Sequence, residues 1–175
     1  MKRVLFLIAQ KNFRDEELKE PMNVFKGAGY SICIASESTQ IAEGMLGAQV
    51  KPDMSFSEAY RCMDEFSALI IVGGSGALGL ANNSYVIRIV KYFYENNKVV
   101  GAICYGPIAL ARAGILSGRR ATVAHSTMDS DSIKSLRSGG AVFTDQKVVD
   151  DGKIVTANGP SAALEFSKVL LSKLG

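Results

Sequence analysis

Four short runs of uninterrupted apolar residues, at 4–9, 32–35, 69–72 and 99–103, constrain the fold of this chain more than any other feature. A strand with one wet face alternates apolar and polar residues. A run that does not alternate is covered on both faces, as in a parallel sheet. Helical stripes lie between the runs. Leu18, Met22 and Phe25 share one face before the stop at Gly27-Ala28-Gly29; Val86, Ile89, Val90 and Phe93 form another, with Asn82-Asn83-Ser84 available as caps and Asn96-Asn97 closing it. Strand and helix in alternation predict an α/β sandwich, a mainly parallel sheet covered on both sides. Near the end, residues 147–149 and 153–156 flank Asp151-Gly152, a hairpin signal, and Pro160-Ser161 open a last helix with Leu164, Val169 and Leu171 as core candidates. Proline is tolerated in a first helical turn and not inside a helix, so Pro21 predicts a helix starting near itself, with residues 15–19 in a loop or short turn. No linker or repeat divides residues 1–175, which read as one domain.

Composition narrows the class. Apolar residues make up 47% and charged residues 21%, a globular balance, and the net charge is +3. The basic pairs Lys2-Arg3 and Arg119-Arg120 stand alone, without the clustering or aromatic interleaving of a nucleic-acid face. No run reaches membrane-spanning length, and the first is too short, with no cleavage site behind it, for a signal peptide. Cys33, Cys62 and Cys104 are odd in number and lack metal-ligand spacing. Reduced thiols in the cytoplasm are expected, and with a single histidine, His125, zinc is not.

The last apolar run ends abruptly in Cys104, and a helical pattern begins at Pro107-Ile108-Ala109. This is the layout of a nucleophile elbow, a tight strand-to-helix turn whose crowding requires small residues two before and two after the nucleophile. Here they are Ala102 and Gly106. The following helix start favours a thiolate. A buried core cysteine is the plainer alternative. Upstream, Gly74-Ser75-Gly76-Ala77-Leu78-Gly79 matches the dinucleotide fingerprint, but it follows the third run rather than the first, and no acidic residue ends the next strand. A simple turn is one reading of it. An oxyanion hole, in which the N–H of Gly74 joins that of Tyr105, is the other.

Taken together, residues 102–107, Gly73-Gly74, Phe13-Arg14-Asp15-Glu16-Glu17-Leu18 and Thr156-Ala157-Asn158-Gly159-Pro160 resemble the ThiJ/PfpI superfamily, which includes the parkinsonism-associated deglycase and PfpI-type intracellular peptidases. The resemblance spans nearly the whole chain. It implies a flavodoxin-like three-layer sandwich, an elbow cysteine at Cys104 and a glutamate at Glu17 hydrogen-bonded to it. Spacing alone does not choose Glu17 over Asp15 or Glu16. The peptidase branch carries histidine directly after the cysteine, where this chain has Tyr105. His125 falls where the glyoxalase-like branch often has its own histidine.

The expected function is therefore that of a cofactor-free, cysteine-dependent enzyme acting on small reactive carbonyls, converting methylglyoxal to lactate. In it Cys104 is the nucleophile, Glu17 shuttles protons and His125 holds the substrate. Amidase or peptidase chemistry is one alternative. A non-catalytic stress-response or redox-sensing role for Cys104 is the other. Family resemblance also implies a homodimer or higher homo-oligomer; from the isolated basic pairs and the lack of a spanning run, neither nucleic acid nor membrane is expected as a partner.

Overall fold

A computed structural model describes residues 2–175. The chain opens with β1 (Arg3–Leu7), β2 (Lys11–Phe13), α1 (Asp15–Gly27) and β3 (Ser31–Ser36). Short strands β4 (Ala42–Gly44), β5 (Gln49–Val50) and β6 (Met54–Ser55) lead through α2 (Phe56–Arg61) to β7 (Ala68–Ile71). Next come α3 (Ala77–Leu80), α4 (Ser84–Glu95), β8 (Val99–Ile103) and α5 (Pro107–Arg112). The last part holds β9 (Arg120–Ala121), α6 (Asp131–Ser138), β10 (Val142–Phe143), β11 (Val148–Asp151), β12 (Ile154–Ala157) and α7 (Ala163–Ser172).

Seven strands form the central sheet in the order β11-β12-β8-β7-β1-β3-β6. All neighbours run parallel except the edge strand β11, which pairs antiparallel with β12 across the Asp151-Gly152 turn, where Gly152 takes φ 73°. The pleat sends successive residues to opposite faces. Leu5, Leu7, Leu69, Ile71, Val100 and Ala102 pack with Phe56 of α2, the α4 stripe and Leu110 of α5. Val4, Phe6, Ile70 and Val155 pack on the other side with Leu18 and Phe25 of α1 and Phe166 and Leu170 of α7. Each fully buried side chain of this size contributes about 1.5–3 kcal/mol, so both faces are closed by substantial burial. Gly101 lets α7 approach: a Cβ there would press into Leu170 and Phe166. The α4 stripe is wholly buried, and the Asn83 side chain caps the helix by accepting the N–H groups of Tyr85 and Val86.

Two expectations are corrected. Residues 15–19 are helical, and α1 runs through Pro21. Proline deletes only the N–H that would bond the Glu17 carbonyl, while the acidic first turn favours the N-terminus and Leu18, Pro21 and Phe25 bury one face. In α7 the large buried side chains are Phe166 and Leu170, whereas Leu164 is 47% exposed and Val169 and Leu171 are half-buried at the margin of the same core. A short apolar stretch with neighbouring candidates leaves the helix phase open by one residue.

Because β1, β7 and β8 are adjacent and parallel, the segments leaving their carboxyl ends meet at one edge of the sheet. In open parallel sheets that edge is where ligands bind.

Candidate active site

Cys104 stands one residue beyond β8 with φ 63°, a left-handed conformation unfavourable for a side chain with a Cβ. Backbone bonds hold it there: its N–H donates to the Ala157 carbonyl at 2.9 Å, and its carbonyl accepts the Ala124 N–H at 2.9 Å. The small residues are required by contact. A Cβ on Gly106 would lie 2.9 Å from the Ile103 and Ile71 carbonyl oxygens. One on Gly73 would overlap the Cys104 Cβ, the Ile103 carbonyl and Glu17 Oε2. Gly73 is thus where the elbow and the glutamate close on each other.

Glu17 lies in the first turn of α1 and is fully buried. Neither carboxyl oxygen has a hydrogen bond of normal geometry; the Gly73 N–H and the Cys104 thiol are the polar groups turned toward it. Burial pushes this carboxyl up to about 8, against the smaller pull of Gly73, Cys104 and the Arg14 cation. Glu17 therefore holds its proton at neutral pH. Burial, and then the negative charge of an ionised Glu17, push the Cys104 thiol up to about 11, while the N–H groups of Gly74 and Tyr105 act in the opposite direction. The sequence had predicted a lowered thiol; the α5 helix start and two N–H donors do not outweigh desolvation while Glu17 is charged. When Glu17 is protonated its repulsion vanishes and it becomes a third donor near the sulfur. The two groups titrate as one pair, whose first proton leaves more easily than its second.

His125 follows Ala124, whose N–H is bonded to the Cys104 carbonyl. Nδ1 donates to the Val123 carbonyl at 2.9 Å, and Nε2 lies 3.3 Å from Asp145 Oδ1. The ring stacks edge-on against Phe143 with centroids 5.2 Å apart. With Leu78, Tyr105, Ile108 and Thr127, His125 lines a cleft of about 440 Å³. Of the residues singled out in the sequence, Cys104, Glu17, Gly74 and Tyr105 converge; His125 reaches the neighbouring cleft through the Ala124–Cys104 backbone bond.

Three contributors were not assigned a role from sequence. Gly73 is one. Asp15 accepts the N–H groups of Leu46 and Ala48 at 3.0 and 2.9 Å, fastening the β4–β5 turn over the start of α1. Arg14 occupies the helix N-cap without capping it. Its N–H donates to the Gly73 carbonyl at 2.9 Å, and its guanidinium forks onto Glu16 at 2.8 and 3.2 Å. The signal was present: arginine is a poor substitute for the Ser, Thr, Asp or Asn favoured at an N-cap.

Among the described residues, no three His, Cys, Asp or Glu side chains are placed to hold a metal ion, and no helix is long and apolar enough to cross a membrane.

The model of the DJ-1/PfpI family matches residues 2–173. An uncharacterized protein of Methanocaldococcus jannaschii is 41% identical over 98% of this chain and 82% of its own length. The Pyrococcus furiosus protein named deglycase PfpI is 34% identical over 96% of this chain and 99% of its own. A Caenorhabditis elegans protein named glutathione-independent glyoxalase DJR-1.2 is 27% identical over 99% of this chain and 89% of its own. Among solved structures, a ThiJ/PfpI domain protein from Brachyspira murdochii superposes with a TM-score of 0.92 at 32% identity, covering 99% of this chain and 96% of that one.

Proposed function

The chain belongs to the DJ-1/PfpI family, and from that premise we propose that it is a cofactor-independent enzyme of the glyoxalase or deglycase type. The observation that carries this reading is the enclosure of Glu17 and Cys104 around Gly73, a buried acid whose proton has the elbow sulfur within reach. Relatives named deglycase and glyoxalase support it.

The chemistry needs no external oxidant. The Cys104 sulfur adds to the aldehyde carbon of methylglyoxal, and the thiol proton ends on the aldehyde oxygen, giving a hemithioacetal. Glu17 gives its own proton to the ketone oxygen; so ionised, it removes the hydrogen on the aldehyde carbon as a proton, delivers it to the neighbouring carbon, and is reprotonated by the hemithioacetal hydroxyl. The aldehyde carbon is thereby oxidised and the ketone carbon reduced, producing a lactate thioester. Water cleaves the thioester and releases lactate, a proton and the free thiol. The N–H groups of Gly74 and Tyr105 face the oxygen on which negative charge develops, and His125 bounds the space for the substrate beside Tyr105.

Peptidase chemistry is less well served. The residue after Cys104 is Tyr105 rather than histidine, and both ring nitrogens of His125 already face other acceptors, the Val123 carbonyl and Asp145, rather than being free to protonate a leaving amine. Lactate formation from methylglyoxal by wild-type protein, lost in Cys104→Ala, is the expected result. Cys104-dependent cleavage of peptides with no lactate formed would replace this reading by the amidase one.

A further inference from the structure

Resting on the reading just given, we propose that Arg14 is the product-recognition residue of this site, binding the carboxylate that the reaction creates.

The reaction as written starts from an uncharged dicarbonyl and ends with an anion beside a buried acid. A site that turns over must hold that new charge without trapping it. Arg14 is placed to do so. Its backbone is fixed to the glycine loop through the bond to Gly73, and a Cβ on Gly74 would press against the Arg14 N–H. Its backbone is thus anchored, three residues before Glu17, against the glycine loop whose Gly73 touches Cys104 and Glu17. Its side chain is 29% exposed, and it is the cation acting on both Glu17 and Cys104.

The guanidinium is only half used. Nε and Nη2 grip Glu16, whereas Nη1 has no hydrogen bond among the described residues, which leaves the Nη1–Nη2 end of the fork open. A planar carboxylate fits that end with two parallel bonds. The Glu16 pair is partly exposed, and such pairs are worth ~1 kcal/mol or less, so it keeps the fork aligned without competing strongly for an incoming anion. Arginine at an N-cap otherwise opposes the helix dipole, which gives the residue a cost that a binding role offsets. The ligand class is a small 2-hydroxy or 2-oxo carboxylate.

The test measures binding of lactate and of its neutral analogue lactamide to wild-type protein, Arg14→Gln and Arg14→Lys, alongside methylglyoxal turnover. Arg14→Gln is expected to weaken lactate about ten- to a hundredfold, the loss of a charge-assisted pair, and to leave lactamide within twofold. Arg14→Lys should recover part of the lactate affinity. Lactate inhibition of turnover should weaken in parallel, with kcat falling less than lactate affinity. The proposal is overturned if lactate and lactamide weaken together, if lactate affinity is unchanged in Arg14→Gln, or if millimolar lactate fails to bind wild type while methylglyoxal is turned over. Arg14-dependent lactate binding without turnover would instead keep the carboxylate site and reject the glyoxalase reading.

Discussion

Cys33 and Cys104 are both thiols removed from water on the same sheet, and only one of them stands in a position to react. Cys33 lies within β3, 4% exposed, and burial pushes its thiol up to about 12. Cys104 is pushed up to about 11, also by burial first, but it sits past the end of β8 at a positive φ, with two N–H donors and a second titratable group against it. Desolvation alone makes a thiol inert. What separates the two is the charge and proton traffic that surrounding groups can supply, and that depends on leaving the strand: a mid-strand residue spends its neighbours' N–H groups on the ladder, whereas the turn after β8 frees them to face a side chain.

The largest effect should come from exchanging the two cysteines' fates. Cys104→Ala should reduce methylglyoxal turnover to the uncatalysed background, while Cys33→Ala stays within about twofold in turnover, with a stability cost of about 1–2 kcal/mol for the small cavity, read by urea unfolding. Equal losses in both variants would erase the distinction.

Glu17→Gln tests the second half of the comparison and should lower turnover by about 10²–10⁴-fold. It should also stabilise the fold in alkali. Folding raises the Glu17 pKa from 4.5 to about 8, so the folded chain binds this proton more tightly and wild type loses stability as pH rises between those values. A glutamine cannot ionise. At pH 9 the variant should exceed wild type by up to about 5 kcal/mol, seen as a higher Tm, and at pH 4 the two should nearly coincide. A Tm difference that does not grow with pH would mean that Glu17 is charged and solvated in the folded protein.

Gly73→Ala should follow in size. Its methyl would force Cys104 and Glu17 apart, lowering turnover by about tenfold or more and costing about 1–3 kcal/mol of stability from overpacking. The smallest effect is expected from His125→Gln, which should raise KM severalfold with kcat nearly unchanged, as loss of uniform binding does.

Much of this was legible in the sequence because burial on both faces leaves an unambiguous mark. The runs at 69–72 and 99–103 became β7 and β8 to within a residue, and the Asn83 cap and Asp151-Gly152 turn appeared where their chemistry required. The elbow was readable for a similar reason, since its crowding demands small residues at fixed offsets. The first turn of α1 was not, because a local rule about Pro21 was overridden by burial of Leu18, Pro21 and Phe25. The lowered thiol was misread because a helix start is visible in sequence, whereas desolvation by distant segments is not. Gly73 and Arg14 escaped assignment because their importance lies in contacts between β7, β8 and α1 that no single stretch displays.

In the proposed reaction the Cys104 sulfur bonds to the substrate carbonyl and Glu17 then moves the proton. Binding of [1-¹³C]methylglyoxal to Glu17→Gln protein, followed by ¹³C NMR, tests it directly, because removing the base should stall the reaction after the first bond. The expected spectrum shows one hemithioacetal carbon that persists when Cys33 is also replaced by alanine and disappears when Cys104 is, with no lactate accumulating. A hemithioacetal carbon that survives Cys104→Ala, or a Glu17→Gln protein that proceeds to lactate at the wild-type rate, would contradict it.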